Sequence, residues 1–181
     1  MTERRAHDDR LLDAIGKIAP ARYDRNVWRV VREGRSPTDG SRGGGRWNPS
    51  DLSVLYCAEE KDGALSEIHF HLSRGQPVFP SRIRHVVWKL GAELKRSLTL
   101  LDVEALTRLG VEMSRYQGIL YAKTQEIGAA AAFLGFDGLI SPSARYDCAN
   151  LVVFLDNAAP EALAEIESEP VDWSLWKRRR R

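Results

Sequence analysis

Three glycines stand directly against an arginine, a tryptophan and an asparagine in SRGGGRWNPSD, residues 41–51. Glycine admits positive φ and lets backbone approach other groups closely, at an entropic cost. Such a run points to something held close. Arg46, next to Gly45, offers a planar five-donor fork suited to phosphate or carboxylate, and Arg29 offers another from a strand-like stretch upstream. Two arginines beside a glycine-rich turn would make a diphosphate clamp. The common phosphate loops are not written here: no Lys-Ser/Thr follows the glycines, and there is no G-x-G-x-x-G opening a helix. Taken alone, the run is equally a flexible connection between two strands. Trp47 reads as core or as a wall of the site, and Asn48 as a residue that orders the turn through its side chain.

Three further residues carry possible chemistry. Glu67 lies in KDGALSEIHFHLSRG, where a helical wheel points it away from the stripe of Leu65, Ile68 and Leu72. It is either a site carboxylate or an ordinary solvated glutamate. Tyr56 ends a strand-like stretch with a flat ring that suits a binding wall or a core position. Ser143, beside Pro142, is a polar wall residue or a turn former. A metal reading fails on spacing. His69 and His71 are two apart and face opposite sides of a helix, His85 is in a separate stretch, and neither cysteine has a C-x-x-C partner. No G-x-S-x-G is present to support a serine hydrolase.

The elements that must position these residues fit in one domain. At 181 residues with 43% hydrophobic side chains and five tryptophans, the chain has material for a real core. No apolar run approaches the roughly 20 residues of a membrane span. The charged start MTERRAHDDR is not followed by an apolar stretch, so a cytoplasmic location without membrane association is expected. Cys57 and Cys148 then read as buried thiols rather than a disulfide. The net charge of +2 depends on the tail: the 27 basic side chains fall to 22, against 25 acidic ones, once the five of Lys177–Arg181 are set aside. A slightly acidic body gives no support to nucleic-acid binding, and the tail reads as a solvated terminus or a nucleic-acid contact.

Along the chain, Leu11, Leu12, Ile15 and Ile18 predict a short helix capped by Asp8 or Asp9 and ended near Pro20. VWRVV and SVLYCA read as strands flanking the glycine loop, and residues 61–75 as a helix ended by Gly75. RIRHVVWKL and SLTLLD read as two strands. DVEALTRLG reads as a helix closed by Gly110, and TQEIGAAAAFLGF as a helix capped by Thr124 and closed by Gly135. GLISPSA and NLVVFLD finish as strands. The interspersed order without βαβ rhythm predicts an α+β fold. It divides into a helical extension (1–25), a central body (26–157) and a polar segment with the basic tail (158–181).

Taken in order, WRVV, GGRWNP, VLYCAE, SEIHFHL, GFDGLISPSAR and NLVVF resemble the RES-domain family, over roughly Val27 to Asp156. The resemblance implies an ADP-ribosyltransferase-like fold of mixed and antiparallel sheets with flanking helices. It implies a bacterial toxin that cleaves NAD, as glycohydrolase or phosphorylase, paired with a DNA-binding antitoxin of the Xre type, so that DNA is met only through the antitoxin. Carried over, the family's arginines fall on Arg29 and Arg46, its tyrosine on Tyr56, its glutamate on Glu67 and its serine on Ser143. Glu67, Arg29 and Tyr56 would be catalytic, and Arg29, Gly45, Arg46, Trp47, Tyr56 and Ser143 would bind NAD, with no metal and no cofactor beyond that substrate. Gly43 departs from the pattern, which has an aromatic there. The acceptor stays open among water, phosphate and a protein side chain. Competing readings are ADP-ribosyl transfer onto a protein and a non-catalytic nucleic-acid- or protein-binding module.

Overall fold

The computed structural model describes residues 7–74 and 83–179. Among these, the strands are β1 (Ala21–Arg32), β2 (Val54–Ala58), β3 (His85–Thr99), β4 (Gly138–Pro142), β5 (Ala149–Phe154) and β6 (Leu163–Pro170). The helices are α1 (Asp9–Gly16), α2 (Lys61–Ser73), α3 (Val103–Arg108), α4 (Ala122–Phe133) and α5 (Trp173–Arg179). Every strand pairing is antiparallel except β3–β4. The expected α+β class holds.

The sheet closes on itself. β1 and β3 pair along nearly their whole lengths, from Ala21↔Ser97 to Arg32↔His85. β3 is long enough to hold β6 along Val86–Ala92 and β4 along Ser97–Thr99 on its other edge. From β4 the ladder runs through β5 to β2, and Trp28↔Ala58 returns it to β1. Side chains alternate across a strand, so each of the five ring strands sends residues inward. Val27, Leu55, Leu90, Ile140, Leu151 and Val153 meet there in one buried cluster. The opposite face, with Val54, Leu139, Val152 and Phe154, packs against Ile15 of α1, Leu106 of α3 and Ile127 of α4. A third cluster joins Val30, Ala58 and Val87 to Ala64 and Leu65 of α2 and Trp176 of α5.

Local signals explain most helix boundaries. Asp8 accepts from Arg10 N–H at 2.9 Å and Asp102 from Glu104 N–H at 3.0 Å, so both short helices start on aspartate caps. Gly110 and Gly135 follow α3 and α4 at φ of +88° and +79°, where other residues are strained. Gly75, expected to end α2, lies outside the described residues. α4 starts at Ala122, earlier than expected. Thr124 does not cap it; its hydroxyl donates back to the Tyr121 carbonyl at 3.1 Å.

Two expectations change. The residues of RIRHVVWKL from His85 onward and those of SLTLLD up to Thr99 belong to one strand, because Gly91 is paired on both edges, with Asn26 of β1 and Ala164 of β6; Arg82 lies outside the described residues. The polar segment after residue 157 supplies β6 and leads into α5. β6 is exposed on both faces, hence its polar sequence, and is held by its backbone ladder and by ion pairs from Lys89 to Glu167 and Lys61 to Glu169. α5 docks through Trp176 Nε1, which donates to Asp62 at 2.9 Å, and Trp173 Nε1, which donates to His85 at 3.3 Å. Arg180 and Arg181 of the basic tail lie outside the described residues.

The helices press on the glycine loop. A Cβ on Gly128 of α4 would sit 1.8 Å from the Trp47 carbonyl oxygen, whereas a Cβ on Gly16 meets nothing within 4 Å. Gly128→Ala should therefore destabilise the protein by about 1–3 kcal/mol or more. Gly16→Ala should be neutral or slightly stabilising. Urea unfolding midpoints of the two variants against the parent check this.

Candidate functional site

The glycine loop is tied to β2 by one hydroxyl. Tyr56 Oη accepts from Trp47 N–H at 2.9 Å and donates to Asn48 Oδ1 at 2.8 Å. Asn48, 1% exposed, spends its amide on the carbonyls of Pro49 and Leu52 and so orders the turn as expected. Gly45 is required where it stands: a Cβ would meet Tyr56 Oη at 2.7 Å and Asn48 Oδ1 at 2.9 Å. Gly44 takes φ of +72°, while Gly43 has no such constraint. Gln125 of α4 donates to the Gly45 carbonyl at 2.8 Å and Trp47 is buried in the main core, so the loop is anchored rather than flexible. Burial drives the Tyr56 phenol well above its ordinary pKa, so it stays protonated and cannot act as a base near neutral pH.

Held this way, the loop projects Arg46 into a cage. Its guanidinium lies 4.7 Å from the Tyr116 ring centroid and 4.8 Å from that of Tyr121. Its two terminal nitrogens donate to the carbonyls of Tyr116 and Gly118. Arg29 of β1 is spent similarly, donating to the carbonyls of Tyr56 at 3.3 Å and Asp39 at 2.8 Å. Its Nε is buried and has no partner among the described residues. Burial lowers the Arg29 pKa from a value high enough that the group stays charged.

Glu67 faces the same space from α2. Its Oε1 accepts from Ser143 Oγ at 2.6 Å and from Asn150 Nδ2 at 3.0 Å. Among the described residues Oε2 accepts nothing, so one carboxylate oxygen is fixed and the other is open. The solvated-glutamate alternative does not describe it. Arg29, Gly45, Arg46, Trp47, Tyr56 and Glu67 all line one cavity of about 320 Å³. Ser143 is not among the lining residues; it reaches the site by holding Glu67, and its Oγ also accepts from Arg145 N–H at 3.1 Å.

Asn150, Tyr121, His71 and Arg145, none of which the sequence marks as a ligand-site residue, share this wall. Asn150 had a signal: it alternates with Val152 and Phe154, a polar residue on a core-facing row. Its amide orientation is set by Glu67, since the reverse would place oxygen against oxygen. His71, whose pKa burial lowers, is neutral near pH 7. Cys57 also lines the cavity, but burial pushes its thiol up to about 12, and that of Cys148 up to about 11. Neither supplies a thiolate nucleophile at neutral pH. Among the described residues no group of three or more His, Cys, Asp or Glu is placed to hold a metal ion. No described helix is long and apolar enough to cross a membrane.

A closed mixed sheet that carries a cavity lined by Arg29, Arg46, Arg145 and the anchored Glu67 defines an α+β domain with a candidate ligand site. The RES-domain model matches residues 26–176, and the chain belongs to that family. The match runs past residue 157 and takes in β6 and part of α5. Its fold is similar to a chain in the crystal structure of the M. tuberculosis MbcT–MbcA toxin–antitoxin complex, at a TM-score of 0.85 and 21% identity, over 96% of this chain and 98% of that one. None of the curated proteins compared matches this sequence.

If the Tyr56 hydroxyl holds the loop, Tyr56→Phe leaves the Trp47 N–H and the Asn48 side-chain Oδ1 buried without partners. The expected cost is about 1–3 kcal/mol of stability. Denaturant unfolding measures it, and an unchanged midpoint would assign Tyr56 to ring packing alone.

Proposed function

We propose that the chain is the toxin of a toxin–antitoxin pair and that it destroys NAD by cleaving the bond between nicotinamide and ribose. The observation that carries this is Glu67: a carboxylate with one oxygen anchored by Ser143 and Asn150 and the other open, on the wall of a cavity rich in arginine. The toxin role is supported by family membership and by the fold shared with a chain of a toxin–antitoxin complex. The antitoxin would be a DNA-binding protein of the Xre type, and contact with DNA would be indirect.

The chemistry suits these residues. In NAD the nicotinamide nitrogen is cationic, so when its bond to ribose C1′ breaks the electron pair stays on nitrogen and nicotinamide leaves neutral. No general acid is needed. The ribose takes on oxocarbenium character, as in glycoside hydrolysis. Glu67 Oε2 is free to accept from a ribose hydroxyl and to favour the developing cation, and its anchored Oε1 limits reorganisation during the step. An acceptor oxygen then bonds to C1′, and the proton it carried passes to solvent. Tyr121 offers a flat wall for a ring, while Trp47 backs the wall from the core and Tyr56 serves by holding the loop. The cavity volume is at the small end of ligand pockets, which fits the nicotinamide–ribose end of the dinucleotide.

Glu67→Gln tests the role of the charge. Glutamine keeps the volume and a carbonyl acceptor, so folding and NAD affinity should persist. Removing a contact that is stronger in the transition state should lower nicotinamide release by about 10²–10³-fold. Calorimetric NAD binding and a nicotinamide release assay on the same variant give both readings. Equal turnover in parent and variant would remove Glu67 from the mechanism.

A further inference from the structure

Arg145 carries a fork that the site leaves unspent. The terminal nitrogens of Arg29 and Arg46 donate to backbone carbonyls. Arg145 lines the same cavity, yet among the described residues its guanidinium makes no hydrogen bond or ion pair. It is nonetheless held: its guanidinium carbon lies 3.3 Å from the centroid of the Phe70 ring, and its backbone N–H is fixed on Ser143 Oγ. Arg74 approaches the same ring at 5.7 Å, and Arg145, Arg74 and Arg46 all act electrostatically on His71. Positive charge is concentrated beside Glu67, the one carboxylate among the described residues that line the cavity.

We infer that Arg145 grips a phosphate group in this cavity, while Arg29 and Arg46 build its walls. A guanidinium stacked on an aromatic face is already oriented, so little freedom is lost when it closes on two phosphate oxygens. Burial works against the Arg145 cation and the charge of Glu67 only partly offsets it, so a phosphate would add the direct acceptors that the fork has no other use for. The phosphate belongs either to the diphosphate of a dinucleotide or to free phosphate serving as acceptor. This inference rests on the NAD reading only for that ownership.

Calorimetry separates the cases, with two probes, ADP-ribose and inorganic orthophosphate, on the full chain and on Arg145→Gln and Arg145→Lys. Loss of a charged hydrogen-bonding pair should weaken the relevant probe by about 10- to 100-fold in the glutamine variant. The lysine variant keeps the charge without the fork and should show a smaller loss. A loss confined to ADP-ribose assigns the grip to the dinucleotide, and a loss confined to orthophosphate assigns it to the acceptor. A loss of both supports the site for either phosphate. If the parent binds neither probe, or both variants match it for both, the inference is overturned. Thermal unfolding confirms that the variants fold, and where glutamine fails the lysine variant carries the same test. Nicotinamide release by the parent is read separately. If release is absent while phosphate binding still depends on Arg145, the NAD reading falls and the phosphate site stands.

Discussion

The contact between Gly45 and the Tyr56 hydroxyl is the constraint on which the site is built. Only a residue without a Cβ lets this loop lie against β2, since the nearest side-chain oxygen would be 2.7 Å from any added carbon. Once there, the hydroxyl closes two hydrogen bonds that turn the loop inward, onto Trp47 N–H and Asn48 Oδ1. Trp47 is thereby committed to the core and Arg46 to the cage of Tyr116 and Tyr121. α4 reinforces the arrangement, through Gln125 on the Gly45 carbonyl and through Gly128, whose missing side chain makes room for the Trp47 carbonyl. Two glycines eighty-three positions apart thus serve one loop.

The second requirement is a carboxylate that does not move. Glu67 comes from α2, Ser143 from the turn after β4 and Asn150 from β5, and the closed sheet brings the three together. Buried polar groups near an apolar core are costly unless satisfied, so the anchoring of Oε1 is both a structural necessity and the reason Oε2 has a defined position. The surrounding arginines are held by carbonyls and aromatic faces rather than by Glu67. The carboxylate keeps one oxygen without a donor among the described residues.

Much of this was legible in the residues, for local reasons. Asp8, Asp102, Gly110 and Gly135 act within one turn of their own helices, so sequence alone places those ends. Glu67 stood out because it falls off the apolar stripe of its helix, and the glycines stood out because three in a row are expensive. What sequence could not show depends on distant partners. The carbonyls that hold Arg46 are at Tyr116 and Gly118, some seventy residues away. β6 has no signature in the sequence, because an edge strand exposed on both faces has no apolar alternation to read. β3 reads as two strands in the sequence, because Gly91 interrupts an apolar pattern that its ladder on both edges sustains. Arg145 stood in plain view in SPSAR. Only the structure shows that its fork, unlike those of Arg29 and Arg46, is free of backbone partners among the described residues.

The central claim is chemical, and one measurement meets it directly. Purified protein is incubated with NAD, in buffer with and without phosphate, and free nicotinamide is quantified against the NAD consumed. The account predicts that NAD disappears and that nicotinamide rises one for one, because the only bond broken is that between nicotinamide and ribose. NAD left intact in both buffers, or consumed without an equal yield of free nicotinamide, would contradict it.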